Sequence, residues 1–314
     1  MSKYVVTGGA GFIGSNIAAE LIKRGDQVKV IDNLSTGFKK NLAAVSDKLE
    51  FVEGDIRDLA LLKREFKGFD FVLHQAALPS VPRSIADPVL SNDHNVNGTL
   101  NVLVAARDVG VKRVVYAASS SAYGDVEAEF KVETMPANPL SPYALTKYAG
   151  EAYCRLFTQL YDLETVAIRY FNVFGPHQDP SSQYSAVIPK FINLMLKKES
   201  PLIFGDGRQS RDFTYIANVV SANILAANAA DGAGLVMNAA CGQSVSLLEL
   251  VEALNRILGT DLAPKFQKDR PGDVKHSKAD ISLATTKIGY KPLINFKAGL
   301  KETVKWYQQQ LAVA

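Results

Sequence analysis

The chain has 314 residues, 47% of them hydrophobic, which is enough for one large domain or two with a sizeable core. Its 35 basic and 32 acidic side chains leave a formal charge of +3 and form no run of like charge, which excludes a nucleic-acid arm or a patch for anionic membranes. With no signal-peptide pattern, no membrane-length apolar stretch and only two cysteines, the chain is predicted to be a cytoplasmic protein.

The first half of the chain alternates short β-rich runs with helical patterns. In the first helical pattern, apolar residues such as Ile17 and Leu21 recur at helical spacing. The alternation predicts an α/β fold, a doubly wound parallel sheet of the Rossmann type with helices on both faces. Strands are predicted in the segments KYVVT, QVKVID, LEFVEGD, FDFVLHQA, KRVVYAAS and ETVAIRYF.

The regular alternation ends after Phe174, where shorter elements follow a loop-like segment. We therefore predict a Rossmann domain over residues 1–175 and a smaller α+β domain over residues 176–314. The stretch 213–239 again has the pattern of a helix followed by a strand, so it is predicted to return to the first domain.

A glycine-rich turn, TGGAGFIGS, follows the first predicted strand and opens a helix near Phe12. Gly9, Gly11 and Gly14 fit the GxGxxG pattern, in which missing side chains allow a pyrophosphate to approach the backbone. The helix start would direct N–H groups and a dipole at the phosphates. The turn indicates dinucleotide binding, although glycine turns also serve packing.

Two acidic residues follow the next two strands. Asp32 ends the second strand, 18 residues after Gly14, where a carboxylate can accept both hydrogen bonds of an adenosine ribose. A 2′-phosphate would meet a like charge there, which favours NAD over NADP. Asp32 is alternatively a cap or turn residue. Asp55, just past the third strand, is placed for the adenine or for a turn.

Hydroxyl groups collect at the carboxyl end of the fifth strand, the edge where open α/β sheets bind ligands. Ser119 in AASSSAYG can hydrogen-bond the reacting oxygen of a substrate and help to pass its proton to Tyr143. The other interpretation is that serines at a strand end are solvated or cap a turn.

The segment SPYALTKYAG predicts a helix with a catalytic face. Ser141 is predicted to cap the helix and Pro142 to be its first residue, which puts Tyr143 and Lys147 one turn apart on the same face. A cation about 6 Å away, at an effective dielectric of about 20, contributes about 2.8 kcal/mol, or about two pKa units, toward ionising the phenol. Since a free tyrosine has a pKa of about 10, a second positive charge is needed, and the ring of NAD⁺ supplies one. Tyr143 is therefore predicted to act as a base only with NAD⁺ bound.

Metal catalysis finds no support in the sequence. The four histidines, His74, His94, His177 and His276, are scattered without a helical pair or clustered carboxylates. No metal site is predicted.

Several motifs together are similar to a known family. The turn TGGAGFIG, HQAA, SSS before YG, YxxxK and RYFNVFGP resemble the extended short-chain dehydrogenase/reductases, specifically the nucleotide-sugar epimerases. Longer segments, among them ALPSVPRS, NPLSPYALTKY, FGDGRQSRDFTYI and RPGDVKHSKADIS, resemble the UDP-N-acetylglucosamine 4-epimerases of bacterial polysaccharide synthesis.

The resemblance implies roles for individual residues. Tyr143 is the implied base, Lys147 holds the nicotinamide ribose and tunes Tyr143, and Ser119 is the hydroxyl partner. The implied NAD-binding residues are Gly8, Gly11, Phe12, Ile13, Gly14, Asp32, Asn33, Asp55, Ile56, Gln75, Ala76, Ala77, Tyr143, Lys147 and Tyr170.

The second domain is implied to bind the UDP-sugar. The implied UDP contacts are Asn172, Arg211, Arg270 and Asp273, with Leu202, Ile203 and Phe204 near the uridine. Ser120, Gln178 and Ala186 are implied to line the acetamido pocket, and Val187 is a further implied substrate-binding residue. Asn172 is alternatively a buried turn residue, an arginine can instead bridge domains, and Phe204 can be a core aromatic. Ser277 stands where the related glucose-selective enzymes carry a bulky residue, so the resemblance implies room for an N-acetyl group.

The implied activity is an NAD-dependent 4-epimerase that interconverts UDP-N-acetylglucosamine and UDP-N-acetylgalactosamine, with UDP-glucose and UDP-galactose as further substrates. A 4,6-dehydratase is disfavoured because Ser120 and Ser121 stand where that enzyme places an Asp-Glu pair. A UDP-glucuronate decarboxylase and a non-catalytic dinucleotide sensor remain alternatives. Helices around 95–107 and 143–160 are expected to pair across a two-fold axis in a homodimer.

Overall fold

A parallel sheet of seven strands forms the centre of the computed structural model, which describes residues 1–180, 186–268 and 276–313. The strands of the described chain are β1 (Lys3–Thr7), β2 (Gln27–Asp32), β3 (Glu50–Glu53), β4 (Phe71–His74), β5 (Arg113–Ser119), β6 (Glu164–Tyr170), β7 (Val173–Phe174), β8 (Leu202–Phe204), β9 (Ser210–Arg211), β10 (Thr214–Tyr215), β11 (Val236–Ala239), β12 (Val245–Ser246) and β13 (Lys265–Gln267). All six strands predicted from the sequence are present.

Helices cover both faces of this sheet. They are α1 (Phe12–Lys23), α2 (Leu59–Phe66), α3 (Val81–Ala86), α4 (Pro88–Asn92), α5 (Gly98–Val109), α6 (Pro142–Tyr161), α7 (Val187–Leu196), α8 (Ile216–Asn228), α9 (Leu247–Leu258), α10 (Ser282–Ile288) and α11 (Phe296–Val313). Short 3₁₀ segments span Lys39–Val45 and Ser120–Tyr123, and a π-helical turn spans Asp93–Asn97. No helix in the described ranges is both long enough and apolar enough to cross a membrane.

The strand order is β11-β6-β5-β4-β1-β2-β3, and every neighbouring pair is parallel. The chain leaves β1 toward β2 and returns on the other side at β4, so a crevice opens at the carboxyl ends of β1 and β4. Ligands of open α/β sheets bind at such a switch point. The predicted doubly wound Rossmann fold is confirmed.

Alternating strand residues build a hydrophobic layer on each face of the sheet. Val5 of β1 faces one layer with Phe66 of α2, while Tyr4 and Val6 face the other with Ile17 of α1. Both layers are fully buried, which holds the carboxyl ends of the strands in a fixed arrangement.

The stretch 213–239 contributes to this sheet. Helix α8 packs on the layer that contains α1, and β11 pairs with β6, with Val236 opposite Ala167. The remaining strands form three small pairs, β7 with β10, β8 with β13 and β9 with β12. The division into two domains stays a prediction.

Candidate active site

Helix α6 begins as predicted from its first residues. The Ser141 side chain accepts a hydrogen bond from the N–H of Ala144 at 3.1 Å, and Pro142 is the first helical residue. The N–H of Tyr143 donates to Ser84 Oγ at 3.0 Å, which ties this end of α6 to α3. Tyr143 and Lys147 are therefore placed by the backbone of one helix.

Burial dominates the ionisation of Tyr143 in the chain itself. Desolvation of the phenol raises the pKa of Tyr143, and the hydrogen bond with Ser119 lowers it in part. The electrostatic contribution expected from Lys147 does not include this desolvation cost, and the role of Tyr143 as a base only with NAD⁺ bound stays a prediction. The sequence pattern showed the spacing of the two residues but not the depth of the phenol.

Lys147 is held by the neighbouring strand. Its Nζ donates to the carbonyl of Ala117 at 2.8 Å and lies 5.1 Å from the centre of the Tyr116 ring. Burial lowers the pKa of Lys147 to about 8, and the nearby Glu151 carboxylate opposes that shift. Lys147 is therefore still mostly protonated near pH 7, but it loses its proton at a lower pH than an exposed lysine does.

Ser119 caps a turn, which is one of the two roles considered from the sequence, and the substrate role stays a prediction. Its Oγ accepts hydrogen bonds from the Ser121 N–H at 3.2 Å and from the Ser121 hydroxyl at 2.8 Å, so it caps the short segment after β5. The same residue lies close enough to the Tyr143 phenol to lower its pKa. This pair of hydroxyls can bridge a sugar oxygen and the phenol.

Close packing explains the glycine turn after β1. Gly8 has φ +68°, and a Cβ on it would lie 2.6 Å from the Ala76 nitrogen, while one on Gly14 would lie 2.3 Å from the Gly8 oxygen. No side chain caps the start of α1. Its first N–H groups therefore remain available to an anion, as the fit of a pyrophosphate requires.

A cavity extends from this turn to Tyr143 along the switch point of the sheet. All predicted NAD-binding residues except Asp55 line it, namely Gly8, Gly11, Phe12, Ile13, Gly14, Asp32, Asn33, Ile56, Gln75, Ala76, Ala77, Tyr143, Lys147 and Tyr170. Ser35, Thr36 and His94 also line it and were not predicted. The polar turn NLSTG directly after Asp32 was the available signal for the first two.

The Asp32 carboxylate lies at one end of the cavity. Its Oδ2 accepts from the Ala10 N–H at 2.9 Å and its Oδ1 from the Leu34 N–H at 2.7 Å. Burial raises the pKa of Asp32, and these two N–H groups counteract the shift. Each oxygen keeps a lone pair for a ribose hydroxyl, so the turn role and the ribose role are compatible.

The Asp55 carboxylate is already bonded to nearby side chains. It forms an ion pair with Arg57 at 2.8 Å and accepts from Asn33 Nδ2 at 3.0 Å, and Arg57 holds the pKa of Asp55 well below its usual range. Its neighbours Gly54 and Ile56 line the cavity, whereas its side chain does not. The adenine role stays a prediction.

Tyr170 is anchored by two residues that are distant from it in the sequence. Its hydroxyl lies 3.1 Å from Gln75 Oε1 and 3.0 Å from Asn223 Oδ1, and Gln75 Nε2 donates to Asn223 at 3.0 Å. Asn223 belongs to α8, in the stretch 213–239. This stretch therefore fixes the rear of the cofactor cavity, a role that was not predicted.

A second cavity adjoins the first at Tyr143 and Tyr170. The predicted substrate residues that line it are Ser119, Ser120, Asn172, Ala186, Arg211 and Ser277. A third cavity continues from Asn172 and Arg211 between α7 and β8, and its predicted lining residues are Asn172, Ala186, Val187, Leu202, Phe204 and Arg211. Together they form a path from Tyr143 into the second region of the chain.

Asn172 lies at the junction of these two cavities. Its φ of +36° is unusual for a residue other than glycine. Its Nδ2 donates to the Asp212 carbonyl at 3.2 Å and lies 3.4 Å from Ser277 Oγ. Asn172 is therefore a half-buried turn residue that also lines the substrate path.

Four predicted substrate residues lie off this path or outside the described chain. Ile203 is buried in the core, and Gln178 donates to the Val173 carbonyl at 3.1 Å, so the side chain of neither lines the two cavities. Arg270 and Asp273 lie outside the described residues. In the described ranges, His, Cys, Asp and Glu form no cluster of three that could hold a metal ion.

A match to a family model agrees with the cavity for a dinucleotide described above. The model described as the NAD dependent epimerase/dehydratase family matches residues 4–240. The chain belongs to this family, and the resemblance drawn from its motifs is confirmed. NAD is accordingly its cofactor.

Individual relatives narrow the type of enzyme. A solved UDP-N-acetylglucosamine 4-epimerase from Methanobrevibacter ruminantium, in complex with UDP-N-acetylmuramic acid, is 44% identical with a TM-score of 0.94 over 98% of this chain and 99% of that one. A UDP-glucose 4-epimerase of Mycolicibacterium smegmatis is 39% identical over 98% of each chain. A UDP-glucuronate 4-epimerase of Thermodesulfobacterium geofontis is 34% identical over 99% of this chain and 98% of its own. All three names describe an isomerase that acts at C4 of a UDP-sugar.

Proposed function

We propose that this UDP-sugar 4-epimerase interconverts UDP-N-acetylglucosamine and UDP-N-acetylgalactosamine, and UDP-glucose and UDP-galactose in addition. The observation that carries the proposal is the position of Ser277, whose side chain lines the same cavity as Tyr143 and Ser119. A serine leaves space beside the reacting sugar that a bulky residue would fill. The similarity to the UDP-N-acetylglucosamine 4-epimerase of M. ruminantium supports the same substrate.

The cofactor is held by three parts of the first cavity. The Asp32 carboxylate would accept the adenosine ribose hydroxyls, the N–H groups at the start of α1 would bind the pyrophosphate, and Lys147 would hold the nicotinamide ribose. Bound NAD⁺ supplies a hydride acceptor and a positive ring beside Tyr143. The chain then has two cations near a phenol whose pKa burial raises, which is the condition for Tyr143 to ionise.

Tyr143 and Ser119 carry out the proton transfer. Ionised Tyr143 takes the proton of the sugar 4-hydroxyl through or beside the Ser119 hydroxyl while C4 loses its hydride. A 4-keto sugar results. After the ring has turned over, C4 regains hydride on its other face and Tyr143 returns the proton. No net oxidation occurs.

The nucleotide is anchored by the third cavity. Arg211 offers a planar guanidinium of the kind that binds diphosphate oxygens, and Leu202 and Phe204 give apolar walls for the uridine. Arg270 and Asp273 are proposed to complete this anchor. Tight binding of the UDP group allows the hexose to rotate within the site, so that either face of its C4 can exchange hydride without dissociation of the UDP-sugar.

Product analysis tests the proposal. Purified protein is incubated separately with UDP-N-acetylglucosamine, UDP-glucose and UDP-glucuronate, and the products are identified by chromatography and NMR. We expect UDP-N-acetylgalactosamine from the first. A deoxy-4-keto sugar would indicate a dehydratase, a UDP-pentose from UDP-glucuronate a decarboxylase, and no turnover of any sugar a dinucleotide sensor.

We also propose a homodimer through α5 and α6, with residues 1–175 and 213–239 as the NAD domain and the remainder as the UDP-sugar domain. Helix α6 exposes Leu145, Leu156 and Leu160, whose side chains a partner would cover. Light scattering of the purified protein tests the dimer. Leu156→Glu is expected to give monomers, and an unchanged mass would place the interface elsewhere.

A further inference from the structure

Lys131 is a buried cation beside the sugar cavity. The residue is 2% exposed and lines the cavity that also contains Tyr143, Ser119 and Ser277. It was not among the residues predicted from the sequence. The cavity wall at this point is the segment that follows β5 and precedes α6.

The backbone of Lys131 is fixed against the segment that carries Ser277. Its N–H donates to the Lys278 carbonyl at 2.7 Å, and its own carbonyl accepts from the Asp280 N–H at 3.0 Å and from Asn238 Nδ2 at 3.0 Å. Lys131 therefore has a defined position next to Ser277, and its side chain does not belong to a freely moving loop.

The ammonium of Lys131 lacks a counter-ion in the described part of the chain. Its Nζ donates to the carbonyl of Val126, and it forms no ion pair with any described carboxylate. Asp125 acts on it only through space, and burial lowers the pKa of Lys131. An ammonium has three donors, so one carbonyl leaves most of its bonding capacity unused. Buried charges in proteins are normally paired.

The cavity itself is electropositive. The charged side chains of its described lining are Lys131 and Arg211, and no aspartate or glutamate is among them. Arg211 lies toward the third cavity, on the side of the nucleotide. Lys131 is therefore the cation on the sugar side of the path.

We propose that Lys131 binds a carboxylate carried by the hexose ring, so that the enzyme accepts anionic UDP-sugars in addition to neutral ones. The inference rests on the proposed function only in placing a UDP-hexose in this cavity. The reaction is the same cycle at C4. The hydride leaves C4, the proton leaves the 4-hydroxyl oxygen, and both return to the same atoms. The carboxylate takes no part in the reaction.

Two carboxylated probes distinguish the possible sources of the carboxylate. UDP-glucuronate carries it at C6, and UDP-N-acetylmuramate carries it on a lactyl group. Dissociation constants of both, and of neutral UDP-glucose and UDP-N-acetylglucosamine, are measured for the wild type and for Lys131→Met. We expect the variant to weaken at least one carboxylated sugar about tenfold or more and the neutral sugars less than about threefold.

Two further variants separate charge from structure. Lys131→Arg keeps the charge and is expected to retain part of the preference. Lys278→Met is the matched control, because its Nζ lies 4.2 Å from the centre of the Phe130 ring and does not line the cavity. It should leave all four affinities within about twofold. Melting temperature and bound NAD are recorded for each variant.

Equal weakening of neutral and carboxylated sugars by Lys131→Met would assign Lys131 a structural role and overturn the inference. Failure of both carboxylated sugars to bind the wild type would overturn it as well, and turnover of UDP-N-acetylglucosamine in the same preparation would leave the proposed function standing. Conversely, Lys131-dependent binding of a carboxylated sugar without turnover of neutral sugars would refute the proposed substrates alone.

Discussion

Glu151 and Arg169 form a bidentate ion pair inside the protein, one turn of α6 beyond Lys147. Arg169 Nε donates to Glu151 Oε1 at 2.9 Å and Nη2 to Oε2 at 2.7 Å, with side chains 4% and 2% exposed. The guanidinium also lies 4.4 Å from the centre of the Tyr123 ring. Charges of alternating sign thus extend from Lys147 through Glu151 to Arg169.

Glu151→Gln should impair both stability and the protonation of Lys147. The variant leaves Arg169 buried without its partner, which costs about 3–5 kcal/mol in the free energy of unfolding. The carboxylate raises the pKa of Lys147, so its removal lowers that pKa from about 8. As the pH rises, activity that needs the ammonium form of Lys147 is then lost at a lower pH than in the wild type. Urea unfolding and kcat/KM between pH 6 and pH 9 measure the two effects.

Glu252→Gln is the matched control for this experiment. Glu252 pairs with Arg256 on the exposed face of α9, at 2.9 Å with both side chains mostly in solvent. Exposed pairs of this kind contribute less than about 1 kcal/mol. If Glu151→Gln kept the wild-type pH profile, Glu151 would have only a structural role.

Tyr143→Phe should abolish proton transfer and preserve the fold. The bond between this residue and Ser84 comes from the backbone, so the start of α6 does not need the hydroxyl. We expect kcat to fall about 10²–10⁴-fold, as for loss of a general base. Turnover of UDP-N-acetylglucosamine and the NAD content of the purified variant are the measurements. A rate within tenfold of the wild type would show that another group takes the proton.

The parts of the site that were predicted are those that depend on residues close together in the sequence. The Ser141 cap, the glycine turn and the carboxylate at the end of β2 each depend on a few adjacent residues, and their patterns are visible in the sequence. The parallel Rossmann sheet followed from the alternation of strands and helices, because parallel neighbours need such crossovers.

The parts that were missed depend on contacts between distant segments. Lys131 reaches the sugar cavity because its backbone pairs with Lys278, and Asn223 reaches Tyr170 because α8 returns to the first sheet. The raised pKa of Tyr143 has the same origin. Burial is a property of the assembled layers, so the spacing of Tyr143 and Lys147 does not show how much it raises this pKa.

His74 should make the protein sensitive to acid. Its ring nitrogens lie 2.7 Å from Thr7 Oγ1 and 3.0 Å from Thr99 Oγ1, and burial lowers the pKa of His74 to about 3. The unfolded chain has a pKa near 6.5 there, so it binds more protons than the native state between these values. The stabilising contribution is complete above pH 6.5 and is lost as the pH falls toward 3.

The expected loss is about 2 kcal/mol between pH 6.5 and pH 5, since each pH unit in this range costs about 1.4 kcal/mol. Urea unfolding of the wild type and of His74→Gln at both pH values measures it. The variant has no imidazole to protonate and should lose less stability on acidification. Equal losses in the two proteins would assign the acid sensitivity to other groups, such as His94 or His177, whose pKa values burial also lowers.

Ser277→Tyr tests the size of the sugar pocket. The side chain of Ser277 lines the cavity with Ser119 and Tyr143, and its N–H donates to the Ser210 carbonyl at 3.1 Å, so the backbone there is held. A phenol at this position would fill the space proposed for the acetamido group. We expect turnover of UDP-N-acetylglucosamine to fall at least about a hundredfold while that of UDP-glucose stays within about fivefold.

Ser277→Ala controls for the hydroxyl, which lies 3.4 Å from Asn172 Nδ2, because this variant removes the same oxygen without adding volume. It should turn over both sugars. The ratio of kcat/KM values for the two sugars is the decisive quantity, since a general loss of folded protein or of bound NAD lowers both rates together. An unchanged ratio in Ser277→Tyr would mean that the acetamido group binds elsewhere along the path, and the substrate proposal would then lose the observation that carries it.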